Sequence, residues 1–547
     1  MNTAELKELR WERIYLCMTL FVEWEEGSCN AEDALRFYIT DPSGKACGTL
    51  KSRYDGSGLW NLRFNLTNRG DGVMAEPGDY ALAVCNDKDE LLCYASCRAS
   101  ASKVSACKRF SYQSDKYYEV SVTDGQLFLH IMRHDGKALK NAALNAKYGL
   151  LRLRYDLAHM AGSKEQKPVV LFLSQLSDQI GSNLRAVKDR MIERGLEKDY
   201  RIVEYAADCR KEGGKAQVPE AVRLLAKSDI VLMDDHVPFL DRIDPKDTTL
   251  IQLWHAGVGF KATGYSRWGH KGSVGPVSAH RKYTWGVTAS KQTVPIFSEL
   301  WGIADEKVID CGIPRMDAML DPARAAKTRE GLFEKYPACR GKKVILFAPT
   351  YRGRDRRDAT YPFEKLGFEE WSKRAEAEGY VVLIRMHPWI RQKDFVPVSC
   401  RERIIVTDSS DATADLFQIA DLLITDYSSV VFEFAPLLRP MLFYVFDKEE
   451  YASSRGFHHD FAKNAPGREV TDFEGLLDAI SADKGDISAV DAYTKRFFDR
   501  ERLDGHSCDR VIDWLIAGQL PGEYQEALAS YEKRVERMKD LWFSPLP

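Results

Sequence analysis

From residue 168 onward the chain alternates short, continuous apolar runs with amphipathic stretches, and that rhythm leaves few folds open. PVVLFLS (168–174), YRIVEYA (200–206), DIVLMDD (229–235), TLIQLWH (249–255), YTWGVTAS (283–290) and KVIDCG (307–312) form a first series. KVILFAPTY (343–351), YVVLIRMHP (380–388), RIIVTD (403–408), DLLITDYSS (421–429) and PMLFYVFD (440–447) form a second. Strands that are apolar along their length, with helical stretches between them, make a parallel sheet covered by helices on both faces. The fold class is therefore α/β, with two facing, doubly wound Rossmann-like domains whose boundary falls near 312–340.

The residues ahead of this series have another texture. IYLCMTLFVEW (14–24), LWNLRFNLT (59–67) and QLFLHIM (126–132) are short alternating runs, separated by DPSG (41–44), DGSG (55–58) and EPGD (76–79). They predict a small all-β accessory domain over 1–135, a sandwich or barrel that serves packing or interaction. A helical linker is expected over 136–165. Its Lys137, Lys140, Lys147, Arg152 and Arg154 are interleaved with leucines, which fits either a solvated connector or a basic amphipathic helix on an anionic membrane surface. The Rossmann-like domains then span 166–312 and 313–520. A C-terminal helix over 521–547 could cross back over the first domain.

Composition narrows the function. A net charge of −3 over 547 residues carries no basic field for nucleic acid. MNTAELKELRWERIY has no leader pattern and no stretch reaches the length of a membrane span, so the expectation is a cytoplasmic protein. The 12 cysteines are scattered, as free thiols are in a reducing compartment. There is no Walker loop, no GxGxxG and no HExxH. Asp234, Asp235 and His236 are adjacent, but capping or turn formation explains them better than a metal site.

Ligands of open α/β sheets bind at the carboxyl ends of the strands. The polar residues of note fall there. His255 ends one strand; Gly257 and Gly259 after it permit close backbone approach to a ligand, and Lys261 adds charge. His387, fixed by Pro388, ends another, with Arg385 two residues earlier on the same side. Thr350 and Arg352 end a third, and Arg315 and Arg455 add further phosphate forks. Thr425, Asp426, Tyr427, Ser428 and Ser429 form a hydroxyl-rich strand-to-helix turn. Its serines can cradle a phosphate at a helix start or simply cap the helix.

The motifs LWHAGVGFKATG, GIPRMD, ILFAPTYRG, RMHP, ITDYSSVVFEF, PMLFYVFDKEEY and RGFHHDF, in this order, resemble those of the CDP-glycerol glycerophosphotransferase family, the teichoic acid polymerases and primases. The resemblance covers roughly 168–520. It implies a GT-B architecture and transfer of a polyol phosphate from CDP-glycerol or CDP-ribitol to a lipid-linked glycopolymer acceptor at the inner face of the cell membrane, with no cofactor and no metal requirement. It places the two family histidines on His255 and His387 and the phosphate-binding turn on Thr425 to Ser429. It also aligns Asn183, Arg352 and Arg455 with family positions. WHAGVGFK stands where many glycerol enzymes read WHGTPLK, a version closer to ribitol-phosphate enzymes, and FEF replaces FDF with the carboxylate kept as Glu433. Together these assign His255 as the base and His387, with Arg352 and the serine turn, as the charge-stabilising group. A CMP-sugar transferase of the bacterial sialyltransferase kind and a non-catalytic scaffold are the alternatives.

Overall fold

The computed structural model describes residues 2–545 apart from 25–34, 98–106, 114–115, 124, 137, 163–166, 176, 210, 256, 258–261, 269–273, 354–357, 391, 393 and 456–463. The apolar runs form two six-stranded parallel sheets. In the first, Val169–Ser174, Arg201–Ala206, Ile230–Met233, Thr249–Gln252, Trp285–Val287 and Val308–Ile309 lie in the order second, first, third, fourth, fifth, sixth. In the second, Lys343–Phe347, Tyr380–Ile384, Ile404–Val406, Leu422–Thr425, Met441–Tyr444 and Arg468–Val470 lie in the order third, second, first, fourth, fifth, sixth. Val169–Ser174 and Tyr380–Ile384 are buried at every position, which is why their sequences are apolar without alternation.

The two domains share one apolar cluster. Trp254, Phe297 and Trp301 of the first domain join Val344, Tyr427 and Phe432 of the second in it. Burying side chains of this size contributes about 1.5–3 kcal/mol each, so the facing surfaces are held by packing as well as by charge.

The C-terminal part departs from the expected boundary at 520. Cys508, Val511, Ile512, Leu515 and Ile516 lie in the core of the first domain, against Val170, Phe172 and Val187. Polar bonds fix this return: Asp317 accepts the Ser507 and Cys508 N–H groups (3.0 and 2.7 Å), and the Arg510 Nε–H bonds the Cys311 carbonyl at 2.7 Å. The run VIDWLI is apolar on the side that completes the first sheet's outer face, and this decides where it packs.

The N-terminal strands form two largely antiparallel sheets around one core that includes Leu16, Trp60, Phe37 and Leu82. Tyr265 and Trp268 of the first Rossmann domain complete that core, and Trp268 stacks on Phe110 at 5.0 Å. Arg13 forks the carboxylate of buried Glu299 at 2.7 and 2.9 Å. The helix Gly522–Asp540 lies along the sandwich, where Met538 and Phe543 pack with Tyr38 and Cys85. The β module is thus docked on both neighbours. The ten described cysteines are free thiols.

Candidate active site

In the second sheet the first and fourth strands are neighbours, and their connections leave in opposite directions. The crevice opens at their carboxyl ends. There Ala348–Thr350 meets the Asp426–Ser429 turn. The Thr425 hydroxyl donates to the Ala348 carbonyl (2.7 Å) and is fully buried. Asp426 accepts the Thr350 and Tyr427 N–H groups at 2.8 and 2.6 Å and bonds Arg352 at 2.9 Å. Arg352 in turn forks Asp447 at 2.5 and 2.9 Å. Burial works against the Arg352 charge, but the two carboxylates outweigh it and raise the pKa. One cation between two carboxylates has no positive charge to spare. Thr425, Asp426 and Arg352 therefore build the turn; the structure does not aim them into the crevice. Asp447 went unnoticed in the sequence, although it too follows a strand end.

What faces the cleft is different. The Thr350 hydroxyl is buried, lines the cleft and has no hydrogen-bond partner among the described residues. The Ser428 hydroxyl accepts the Val430 N–H at 3.4 Å, whereas Ser429 makes no side-chain cap bond. The helix they precede, Val430–Phe434, is only five residues long, so its dipole adds little and the hydroxyls matter more. Arg385 lines the same cleft. Its guanidinium bonds the Asp408 and Ser409 carbonyls (2.7 and 3.3 Å) and the Thr413 hydroxyl (3.4 Å), all neutral acceptors. Burial pulls its pKa below the ordinary arginine value, with Asp411, Tyr336 and Asp408 offsetting this only in part.

His387 stands at the end of the Tyr380–Ile384 strand between two aromatic rings, Tyr351 at 4.7 Å and Trp389 at 5.1 Å. The Trp389 N–H donates to His387 Nδ1 at 3.2 Å, so in the neutral ring the proton sits on Nε2. Trp389 stands two residues beyond the histidine in the same loop, whereas Tyr351 reaches it from the loop after another strand, a contact the sequence does not show.

His255 closes the cleft from the first domain. Its side chain is half exposed, and its Nδ1 lies 3.0 Å from the Asp234 backbone carbonyl. A carbonyl only accepts, so Nδ1 carries the proton and Nε2 holds the lone pair. The peptide before it is strained: Trp254 has φ 56°, a left-handed conformation that costs a bulky residue on the order of 1–3 kcal/mol. Two buried amides hold it there. Gln252 accepts the Trp254 N–H at 2.9 Å, and Asn183 Nδ2 donates to its carbonyl at 2.6 Å. Asn183 Oδ1 also accepts the Arg315 N–H at 3.1 Å. Asn183 thus orients His255 from behind.

Three further candidates bind protein groups. Arg315 lies past the expected boundary at 312 but is tied to the first domain by its N–H to Asn183, and from there it forks Glu433 of the second domain at 2.6 and 3.2 Å, with both side chains largely buried. At Gly257 an added Cβ would lie 1.9 Å from Cδ1 of Phe432, so the close approach this glycine allows is to the facing domain. Lys261 and the Arg455 side chain, like Gly259, lie outside the described residues. Asp234, 5% exposed, has its carboxyl pushed up to about 6 by burial, with Asp235 adding to the rise and His255 and Arg315 opposing it. Among the described residues no group of three or more His, Cys, Asp or Glu side chains is placed to hold a metal ion.

The cleft that collects His255, His387, Arg385, Thr350, Ser428 and Ser429 encloses about 340 Å3. The sequence model of CDP-glycerol:poly(glycerophosphate) glycerophosphotransferases matches residues 155–517, which contain all of it. The chain belongs to that family. The match sets aside the CMP-sugar reading. The chain is 32% identical over 377 residues to the teichoic acid ribitol-phosphate polymerase TarK of Staphylococcus aureus, covering 68% of this chain and 72% of TarK. It is 33% identical over 348 residues to TarL of the same organism, also a ribitol-phosphate polymerase, covering 63% and 61%. A structure of the wall teichoic acid polymerase TagF superposes with a TM-score of 0.53 at 18% identity, covering 71% of this chain and 98% of that one. That likeness places the two facing domains in a GT-B-like fold.

Proposed function

We propose that this family member transfers a polyol phosphate from a CDP-activated donor to a hydroxyl of a teichoic acid-type acceptor, with release of CMP. The observation that carries the reading is the cleft wall made by Arg385 and Thr350, a half-buried cation whose hydrogen bonds go only to neutral acceptors and a buried hydroxyl without a partner among the described residues. Such a wall asks for an anionic, hydrogen-bond-accepting ligand, as a diphosphate is. Across from it, His255 Nε2 takes the proton of the acceptor hydroxyl. The oxygen bonds to the β-phosphorus, the bond from that phosphorus to the bridging oxygen breaks, and CMP leaves with the electron pair. His387 Nε2–H, Arg385 and the Ser428–Ser429 turn hold the phosphate oxygens as charge moves toward the leaving group.

The two polymerases compared above carry ribitol phosphate in their names, and this supports ribitol as the polyol. A donor panel with CMP release as the readout tests both levels. CDP-ribitol turned over well ahead of CDP-glycerol is expected; turnover of neither, with an authentic acceptor present, would refute the transfer reading.

Contact with the membrane surface is supported by the helix Ala138–Met160. Leu150, Leu153, Leu157 and Met160 are exposed and spaced three or four residues apart, so they form one stripe. No described helix is long and apolar enough to cross a membrane. Flotation with anionic vesicles, lost in Leu153→Glu/Leu157→Glu, is the expected result.

A further inference from the structure

A second and larger cavity, of about 680 Å3, lies where the sandwich, the first Rossmann domain and the C-terminal helix meet. The helix Val294–Trp301 separates it from the cleft. Ile296, Phe297 and Leu300 face the cleft, while Ser298 and residues 303–306 line the second cavity. Six cations line it: Arg36, Lys51, Arg63, Lys533, Arg534 and Arg537. Asp305 and Glu306 are its acidic residues, bonded to Lys51 at 2.8 Å and Arg534 at 2.9 Å. Arg36 and Arg537 share one carboxylate, that of Asp89. Glu12, 3.6 Å from Arg63, is also 3.4 Å from Arg13. Six cations thus meet four carboxylates, one of them shared with a seventh cation. In a chain of net charge −3 this excess is local, and a concave wall focuses it.

The cations are ranked rather than convergent. Lys533 and Arg534 sit side by side on the C-terminal helix, and Arg537 follows them about one turn, or about 5.4 Å, further along it. Lys51 and Arg63 are direct cross-strand partners on the opposite wall, an arrangement of like charges that costs stability unless an anion lies between or above them. Tyr15 and Tyr531 support Arg63 and Arg534, with ring centres 4.0 and 5.5 Å from the guanidinium carbons.

We propose that this cavity binds a linear phosphodiester polyanion, the stretch of acceptor chain already made; this deepens the transfer reading and rests on it. Two facing rows of cations suit an anion that repeats along a strand. A single phosphate or a nucleotide would be gripped at one point. The position one helix away from the cleft lets one chain occupy both, its reacting end at His255 and its body among the arginines.

The test measures binding of a defined oligo(polyol phosphate) to the full chain, with inorganic phosphate and CMP as comparison ligands. Lys533→Glu/Arg534→Glu is expected to weaken the oligomer at least 10-fold, and to raise KM for a long acceptor while leaving kcat and CMP release with a one-unit acceptor unchanged. Ser52→Glu, on the exposed sandwich wall, repeats the test without touching the C-terminal helix. Wild-type oligomer affinity in both variants overturns the proposal, as does equal competition by inorganic phosphate at matched charge. If the helix variant loses its cooperative melting transition, Ser52→Glu alone decides. Oligomer binding that tracks these substitutions in a protein that turns over no CDP-polyol would refute the transfer reading and leave the polyanion site standing.

Discussion

His255 and His387 are hydrogen-bonded through the same ring nitrogen in opposite senses. Nδ1 of His255 donates to the Asp234 carbonyl, and Nδ1 of His387 accepts from the Trp389 N–H. One ring therefore offers a lone pair at Nε2 and the other a proton. Alanine at either position is expected to lower turnover by about 10²-fold or more, the scale of a lost acid–base or electrostatic group. Glutamine separates the roles. His387→Gln keeps an N–H donor near the Nε2 position and should retain more activity than His387→Ala, whereas His255→Gln supplies no base and should match His255→Ala. Single-turnover CMP release reads both; equal activity of His387→Gln and His387→Ala would remove the donor role.

Thr350 and Ser429 separate binding from folding. The Thr350 hydroxyl is buried without a partner, so Thr350→Val should stabilise the free protein by about 1–3 kcal/mol. The same change should cost the donor about 1.5–3 kcal/mol, or roughly 10- to 150-fold in affinity, if that hydroxyl meets a phosphate. Ser429→Ala removes no cap bond and should leave melting nearly unchanged while weakening the donor. Thermal unfolding and donor titration on the two variants decide. Unchanged donor affinity in both would take the phosphate away from this wall.

The Arg315–Glu433 pair and the Gly257–Phe432 contact join the domains. Removing one partner of a buried pair costs about 3–5 kcal/mol, and the residual exposure here points to the lower end for Arg315→Ala. Replacing both with apolar residues, Arg315→Met/Glu433→Leu, should recover most of it. Gly257→Ala should impair folding or turnover through its clash with Phe432, and Phe432→Leu should partly rescue it. Denaturant melts of the set, with no rescue in either double variant, would show that the domains are joined by other contacts.

Asp234 gives stability a pH dependence. Its folded pKa of about 6 lies above the unfolded value of about 3.9. Between those values the folded state holds a proton that the unfolded state has released. Stability from this group is therefore full below about pH 4, falls as pH rises toward 6, and stays low above it. Asp234→Asn should flatten that window and stabilise the protein at pH 7–8 by up to about 3 kcal/mol. The carbonyl that orients His255 is backbone and survives the change. Melts from pH 4 to 8 that show no difference between variant and wild type would refute the burial argument.

The sequence made the parallel strands legible because each is buried on both faces, and the strand-end rule brought His255, His387, Arg385 and Thr350 to one cleft. It could not show which charges are consumed at home. Arg352 is as phosphate-like in its motif as Arg385, and only the fold reveals Asp426 and Asp447 around one and bare carbonyls around the other. Gly257 and Asn183 were similarly ambiguous. A glycine allows close approach to anything, and here Phe432 of the facing domain is what approaches. The 507–516 return was illegible because an apolar helix does not name the sheet it will cover.

That return sets an order of events during synthesis. The first Rossmann sheet is translated by residue 309, yet the side chains that seal one of its faces, Cys508 to Ile516, emerge some two hundred residues later. The second sheet, complete by Val470 and covered by Phe473–Ser481, depends on nothing so distant. Domains that close on local sequence can finish on the ribosome, whereas a split one must wait. Of the two Rossmann domains, the one that carries His255 is thus the first to be made and the last to be finished, and a chain truncated before residue 507 should hold a folded second domain beside an open first one.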